Sequence, residues 1–85
     1  MTTELNFKDL QALAAEILGV DPERVQLDVS FAKDLAADSL DLVELIAAVE
    51  DKYDVELPEE TLDNMQKIGD LWSFLEDRQA ERLGA

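Results

Sequence analysis

The chain has 85 residues, with seven basic against 21 acidic side chains, a net charge of −14 and 47% apolar residues. This length allows one domain, the apolar fraction excludes a disordered acidic tail, and the charge excludes nucleic acid as a partner. The sequence contains no Cys and no His, which excludes a thiolate nucleophile, an imidazole base and Cys/His zinc sites. No apolar run reaches membrane-spanning length and the N-terminus lacks a signal-peptide pattern, so we expect a cytoplasmic monomer with no membrane span.

The first predicted element is a helix from about Thr3 to Leu18. Thr2 or Thr3 can cap its start, and Gly19 follows its last periodic residue as a helix stop. The apolar residues recur at helical spacing and form one stripe: Phe7, Leu10, Leu13, Ala14 and Ile17.

A long loop follows the first helix. Pro22 after Asp21 predicts a single helical turn, and no period holds from Gln26 to Ala37. Four spaced apolar residues are predicted to pin this loop to the core: Leu27, Val29, Phe31 and Leu35.

The strongest predicted helix runs from Ser39 to about Tyr53. Asp38 is a good N-cap, and Asp41 adds negative charge to the same helix end. Ser39 then occupies the first helical position, where an anion on its hydroxyl would lie close to unpaired N–H groups. The site suits a serine that carries a phosphate or phosphodiester, although simple helix capping accounts for the same residues.

This second helix has two apolar faces. Leu42, Leu45, Ile46, Val49 and Tyr53 are predicted to face the core, whereas Leu40, Val43 and Ala47 form a second, narrower strip. An apolar strip edged by carboxylates suggests a docking surface, and packing of Leu40 and Val43 against a neighbouring loop is the alternative. The flanking acids are Asp41, Glu44, Glu50, Asp51 and Asp54.

Two further helices complete the prediction, a short one at about Pro58–Asn64 and a fourth at about Ile68–Arg82. The fourth has an apolar stripe of Ile68, Leu71, Trp72 and Leu75. The fold class is therefore all-α, a single-domain four-helix bundle over residues 1–85 with three longer helices, a short third and a long loop between helices one and two. No Ser/His/Asp set, zinc spacing or Gly-rich phosphate loop is present, so we expect neither an enzyme nor a metal site.

The run from Ser30 to Leu45 (SFAKDLAADSLDLVEL) resembles the phosphopantetheine attachment region of acyl carrier proteins. The resemblance continues through Glu50–Pro58 and Ile68–Leu71, and it also includes Leu18–Val20. It thus covers nearly the whole chain and is closest to free-standing carriers of the fatty-acid type.

The resemblance implies that Ser39 carries a 4′-phosphopantetheine arm from coenzyme A, which holds acyl groups as thioesters. Asp38 would cap the helix and help a phosphopantetheinyl transferase to recognise the site. Acyltransferases, ketosynthases and other acyl-processing enzymes would dock their basic patches on Leu40, Asp41, Val43, Glu44, Ala47, Glu50 and Asp51. The acyl chain would lie between helices lined by Phe31, Leu42, Ile46, Met65, Leu71 and Leu75.

The sequence departs from the family pattern at two positions. Ala36 stands where the family usually has glycine, which costs about 1 kcal/mol or more if the position needs a positive φ. Lys67 stands where a threonine commonly caps the fourth helix, so we expect a loosened helix start and a mobile segment from Asn64 to Gly69.

Two alternatives to a fatty-acid, polyketide or other secondary-metabolite carrier stay open. One is an aminoacyl, D-alanyl or peptidyl carrier, which would use the same arm for an amino acid. The other is an acidic protein-interaction module that carries no covalent cargo.

Overall fold

The computed structural model describes the backbone of residues 5–84 and the side chains of residues 5–58 and 60–81. Four α-helices follow one another: α1 (Phe7–Leu18), α2 (Ser39–Tyr53), α3 (Glu59–Asp63) and α4 (Ile68–Gly84). A single 3₁₀ turn at Pro22–Arg24 lies within the long connection between α1 and α2. The all-α class, with a short third helix, is confirmed. Across the described range, no helix is long and apolar enough to cross a bilayer.

Helix α1 begins at Phe7, four residues later than predicted. Asn6 is its N-cap, and the Asn6 side-chain oxygen accepts from the Lys8 N–H at 2.9 Å. The predicted Thr2 or Thr3 cap lies outside the described residues. The predicted stop at Gly19 is confirmed, because Gly19 has φ of 69° and its N–H donates to the Ala15 carbonyl.

One hydrophobic core joins the helices and the long loop. Leu45, Val49 and Tyr53 bury the inner face of α2, and no charged or polar side chain is buried among those described. Burial raises the pKa of the Tyr53 phenol, and the nearby Asp9 carboxylate raises it further, so Tyr53 stays neutral at physiological pH. The core comprises Leu10, Ala14, Ala15, Val25, Phe31, Leu35, Ala37, Leu45, Ile46, Val49, Tyr53, Leu57, Met65, Ile68, Leu71 and Leu75.

Helix α3 spans Glu59–Asp63 and is shorter than predicted. Pro58 has extended backbone angles and stands at the N-cap position outside the helix. Helix α4 starts at Ile68 as predicted and continues to Gly84. Trp72 packs edge-on against Phe7, with ring centroids 5.1 Å apart, which places it on the flank of the core.

The Asp70 carboxylate, three residues after Lys67, holds the backbone at the start of α4. Asp70 Oδ2 accepts hydrogen bonds from the N–H groups of both Gln66 and Lys67, each at 3.0 Å. The predicted loosening at Lys67 is therefore not what the structure shows, because Asp70 binds the two backbone amides that precede the helix.

Backbone donors at the same helix start also bind the long loop. The Ile68 N–H donates to the Val29 carbonyl at 3.1 Å, and the Gly69 N–H donates to the Leu27 carbonyl at 2.8 Å. We call these two hydrogen bonds the loop–α4 clamp. They give the first amides of α4 partners and fix the loop against the bundle.

Candidate functional site

The N-terminus of α2 is closed by a reciprocal capping box. Asp38 Oδ1 accepts from the Asp41 N–H at 2.8 Å, and Asp41 Oδ2 accepts from the Asp38 N–H at 3.1 Å. Each carboxylate thus satisfies one of the donors left unpaired at a helix start. The predicted start of the helix at Ser39 and the capping role of Asp38 agree with this geometry, which fixes the backbone on both sides of Ser39.

Ser39 is exposed at the first position of α2. Neither its hydroxyl nor the backbone N–H groups of Ser39 and Leu40 have a hydrogen-bond partner within residues 5–84. Two free amides at the positive end of a helix dipole therefore lie next to a free hydroxyl. This arrangement favours an anionic group joined to the Ser39 oxygen.

The loop before Ser39 is anchored by its own hydrogen bonds. The Phe31 N–H donates to the Gln66 carbonyl at 3.0 Å, and the Phe31 carbonyl accepts from the Ala37 N–H at 2.8 Å. Phe31, Leu35 and Ala37 are buried. These contacts place the residue two positions before Ser39 in the core, so the loop presents Ser39 at a fixed point of the surface.

Only part of the predicted anchoring set holds the loop. Phe31 and Leu35 are buried and Val29 is half-buried, as expected, but Leu27 is 48% exposed. Leu27 contributes its carbonyl to the loop–α4 clamp rather than its side chain to the core. Sequence spacing could not distinguish these roles, because an irregular loop has no period that assigns a residue to a face.

Ala36 adopts the left-handed conformation, with φ of 54°. This is the condition under which alanine in place of glycine is costly, because its Cβ approaches the following carbonyl oxygen. The strain lies three residues before Ser39, in the segment between the buried Leu35 and Ala37.

Replacing Ala36 by glycine is expected to raise the free energy of unfolding by about 0.5–1 kcal/mol. Relief of the left-handed strain stabilises the folded state by about 1–2 kcal/mol. This exceeds the free-energy cost of the greater conformational entropy of glycine in the unfolded chain, about 0.4–1 kcal/mol. Urea denaturation measures the difference. Ala32→Gly is the matched control, since Ala32 lies exposed in the same loop with negative φ and should lose stability. Equal losses in both variants would contradict the strain at Ala36.

The outer face of α2 carries an exposed apolar strip. Leu40 is 66% exposed, Val43 is 54% exposed, and Ala47 is also exposed, so these side chains do not pack against a loop. The strip occupies the side of α2 opposite its buried residues, as its spacing predicted. Glu44 and Asp51 are exposed on the same side at helical spacing from Ala47.

Two of the predicted docking acids have contacts within the fold. Asp41 belongs to the capping box, and Glu50 Oε2 accepts from the Leu57 N–H at 3.0 Å. The Glu50 contact ties the end of α2 to the segment before α3. Both side chains are half-buried, whereas Glu44 and Asp51 are exposed and make no hydrogen bond or ion pair with the described residues.

A cleft of about 240 Å³ opens between the long loop and α2. Phe31, Leu42 and Met65 line it, together with Ser30, Ala32, Lys33 and Gln66. The other three residues predicted for an acyl pocket, Ile46, Leu71 and Leu75, are buried in the core and do not line this cleft. Sequence reasoning missed the polar residues of the cleft. The available signal was that Ser30 and Lys33 lie within two residues of Phe31 and that Gln66 follows Met65.

Known proteins are similar to this chain over most of its length. The phosphopantetheine attachment site family matches residues 8–75. An acyl carrier protein of Helicobacter acinonychis (strain Sheeba) is 45% identical over 73 residues, which cover 86% of this chain and 94% of that protein. The acyl carrier protein of Helicobacter pylori (strain G27) is 47% identical over the same shares. That of Bdellovibrio bacteriovorus is 44% identical over 78% of this chain and 85% of its own length.

The chain belongs to the acyl carrier protein family. Members of this family are carriers, and the prosthetic group of an acyl carrier protein is a covalently attached 4′-phosphopantetheine. The residues of this acyl carrier protein fit such a group, because a free serine hydroxyl stands beside two free amides at the start of α2. Among the described residues, no group of His, Cys, Asp and Glu side chains could hold a metal ion.

Proposed function

We propose that Ser39 is the attachment serine and that the chain carries acyl groups between enzymes of fatty-acid, polyketide or other secondary-metabolite synthesis. The observation that carries the proposal is the exposed Ser39 hydroxyl, which has no partner within the described residues and adjoins two free amides. When bound, the 4′-phosphopantetheine supplies a thiol that holds the acyl group as a thioester. The chain itself supplies no thiol, since it contains no Cys.

The protein residues act by positioning and by charge. The capping box fixes the backbone at Asp38 and Asp41, so the Ser39 oxygen is held outward for a phosphopantetheinyl transferase. The free amides of Ser39 and Leu40 can donate to phosphodiester oxygens at the helix terminus. The chain would then act without catalysing a reaction, as a cytoplasmic monomer whose large negative charge opposes self-association.

The apolar strip and its carboxylates would form the docking face for the partner enzymes. The face comprises Leu40, Asp41, Val43, Glu44, Ala47, Glu50 and Asp51. A transferase, an acyltransferase or a ketosynthase with a basic patch would be steered toward it. Its apolar residues would then be desolvated at the centre of the contact, with charged groups at the rim.

The cleft beside Phe31 would shield part of the acyl chain. Contact with its apolar lining, Phe31, Leu42 and Met65, would remove apolar surface of the acyl chain from water. Met65 also lines a second cleft between α3 and α4, together with Phe74 and Thr61. A change in the conformation of its flexible side chain would therefore alter the shape of both clefts. Ile46, Leu71 and Leu75 lie in the core and would contribute only if the helices separated.

The direct test is incubation of the protein with coenzyme A, Mg²⁺ and a broad-specificity phosphopantetheinyl transferase, followed by intact-mass and peptide-mass analysis. We expect a mass increase of one phosphopantetheine, located on the peptide that contains Ser39. No mass change in a folded sample would favour a non-covalent interaction module. Loading of amino acids in preference to acyl groups by partner enzymes would instead favour an aminoacyl or peptidyl carrier.

Charge reversal tests the docking face. Glu44→Lys with Asp51→Lys is expected to lower the transferase kcat/KM about tenfold at low salt, because steering toward a basic patch is lost. These two positions are chosen over Asp41 and Glu50, whose carboxylates have contacts within the fold.

The matched control for this variant is Glu76→Lys with Asp77→Lys, which makes the same change in net charge at exposed positions of α4. Its kcat/KM should fall much less. The difference between the two double variants should shrink as salt is added, because salt screens charges on the surface. Equal losses in both variants would show that net charge matters and that the face on α2 does not.

A further inference from the structure

We propose that the cleft beside Phe31 favours acyl groups that bear a carboxylate, which Lys33 binds at the cleft rim. The proposal rests on the proposed function, in that acyl groups are carried on Ser39, and it adds the chemical class of the cargo. Its basis is the charge of the cleft lining, which differs from the charge of the rest of the molecule.

The lining residues divide by polarity. Phe31, Leu42, Met65 and Ala32 give an apolar floor, whereas the polar lining residues are Ser30, Lys33 and Gln66. No carboxylate lines this cleft, although the chain has 21 acidic residues.

Three other described clefts show how unusual this is for the molecule, since each is lined by at least two carboxylates. The cleft between the end of α2 and α4 has Asp54, Glu56 and Glu81; that beside the 3₁₀ turn has Glu23, Asp28 and Asp34; that between α3 and α4 has Asp70 and Asp77. Acidic residues outnumber basic ones in all three, because Arg78 lines the first, Arg24 lines the second and no basic residue lines the third.

Lys33 is exposed, and its ammonium makes no ion pair with the described side chains. Its backbone is fixed, because its N–H donates to Ser30 Oγ at 3.2 Å. The next residue, Asp34, is the nearest acid in sequence, but Asp34 Oδ2 accepts from the Ser30 N–H at 2.7 Å and does not line the cleft. The Lys33 charge is therefore available to a ligand.

No other described basic side chain lines the cleft. Arg24 donates to the Asp34 carbonyl at 2.7 Å, Arg78 pairs with Glu81 at 3.1 Å, and Lys52 lies over the Tyr53 ring. The cleft thus combines an apolar floor with an unpaired cation. A carboxylate on an acyl group over this floor would pair with Lys33 as a solvent-exposed ion pair.

The cleft is small, with a volume of about 240 Å³, so acyl groups of medium length are suited to a test. Octanedioyl and octanoyl groups are therefore the informative pair, because they have the same length and differ in the terminal carboxylate.

The test uses the protein loaded by a phosphopantetheinyl transferase from octanoyl- or octanedioyl-coenzyme A. Intact mass first establishes loading, so a failure of the proposed function appears as absent mass and is separate from the result on Lys33. The measured quantity is the rate at which hydroxylamine cleaves the thioester. We expect Lys33→Gln to speed cleavage of the octanedioyl form about two- to fivefold and to leave the octanoyl form unchanged.

Lys67→Gln is the matched control. Lys67 follows Gln66, is exposed, and does not line the cleft, so this variant should behave as the parent does with both cargoes. Equal acceleration of both cargoes by Lys33→Gln would overturn the proposal, because Lys33 would then act on the arm or the loop. No acceleration of either cargo would overturn it as well.

Discussion

The Ser39→Ala variant is expected to fold as the parent chain does and to gain no mass with coenzyme A and a phosphopantetheinyl transferase. The hydroxyl is exposed and makes no hydrogen bond with the described residues, so its removal breaks no contact of the fold. Alanine is also a better helix former than serine at an exposed helical position. The free energy of unfolding should therefore change by no more than about 0.5 kcal/mol, while modification is lost completely.

The chain provides matched controls, since Ser30 and Ser73 are its only other serines. Ser30→Ala removes the oxygen that accepts from the Lys33 N–H, and Ser73→Ala alters an exposed position of α4. Both variants should take up one phosphopantetheine. Intact mass is the measurement for all three variants, with circular dichroism to establish folding. Uptake by Ser39→Ala, or its loss in Ser73→Ala, would move the attachment site away from Ser39.

Gly69→Ala is expected to lower the free energy of unfolding by about 0.5–3.5 kcal/mol, although alanine normally stabilises a helix relative to glycine. A Cβ at position 69 would lie 2.8 Å from the Leu27 carbonyl oxygen, which is backbone and cannot rotate away. Relieving this clash would stretch the Gly69–Leu27 hydrogen bond of the loop–α4 clamp. The combined cost, about 1.5–4.5 kcal/mol, exceeds the helix-propensity gain of about 1 kcal/mol.

Urea and thermal denaturation measure this loss, which corresponds to about 4–8 °C of melting temperature for each kcal/mol. Ser73→Ala serves as the control in the same helix, with an expected change of no more than about 0.5 kcal/mol. Hydrogen exchange adds a local readout, since the amides of Ile68 and position 69 should lose protection in the variant. A stabilised Gly69→Ala protein would show that the loop yields to the methyl group without strain.

The clamp also changes the expectation for the segment from Asn64 to Gly69. The sequence predicted mobility there because Lys67 cannot act as a cap. Asp70 and the loop carbonyls supply the missing acceptors, so strong exchange protection at Ile68 and Gly69 is now the expected result in the parent chain.

Features decided by residues close together in sequence could be predicted well. The start of α2 follows from the reciprocal contact of Asp38 and Asp41, three residues apart, and the exposed strip of Leu40 and Val43 follows from the helical period. The stop of α1 at Gly19 is equally local. The beginning of α1 at Phe7 was missed because Asn6 and the threonines before it are similar caps, and propensity alone does not choose among them.

Residues close together in sequence are sufficient to predict the helical fold class, the helix that begins at Ser39 and the solvent-exposed face of that helix. Helical periodicity and capping involve residues three or four positions apart, so they can be recognised from the sequence. The tertiary structure alone decided the contact between Gly69 and Leu27, the hydrogen bond from Leu57 to Glu50 and the cleft that Lys33 shares with Met65. These depend on how an irregular loop crosses the bundle, and that path is set by packing between residues distant in sequence.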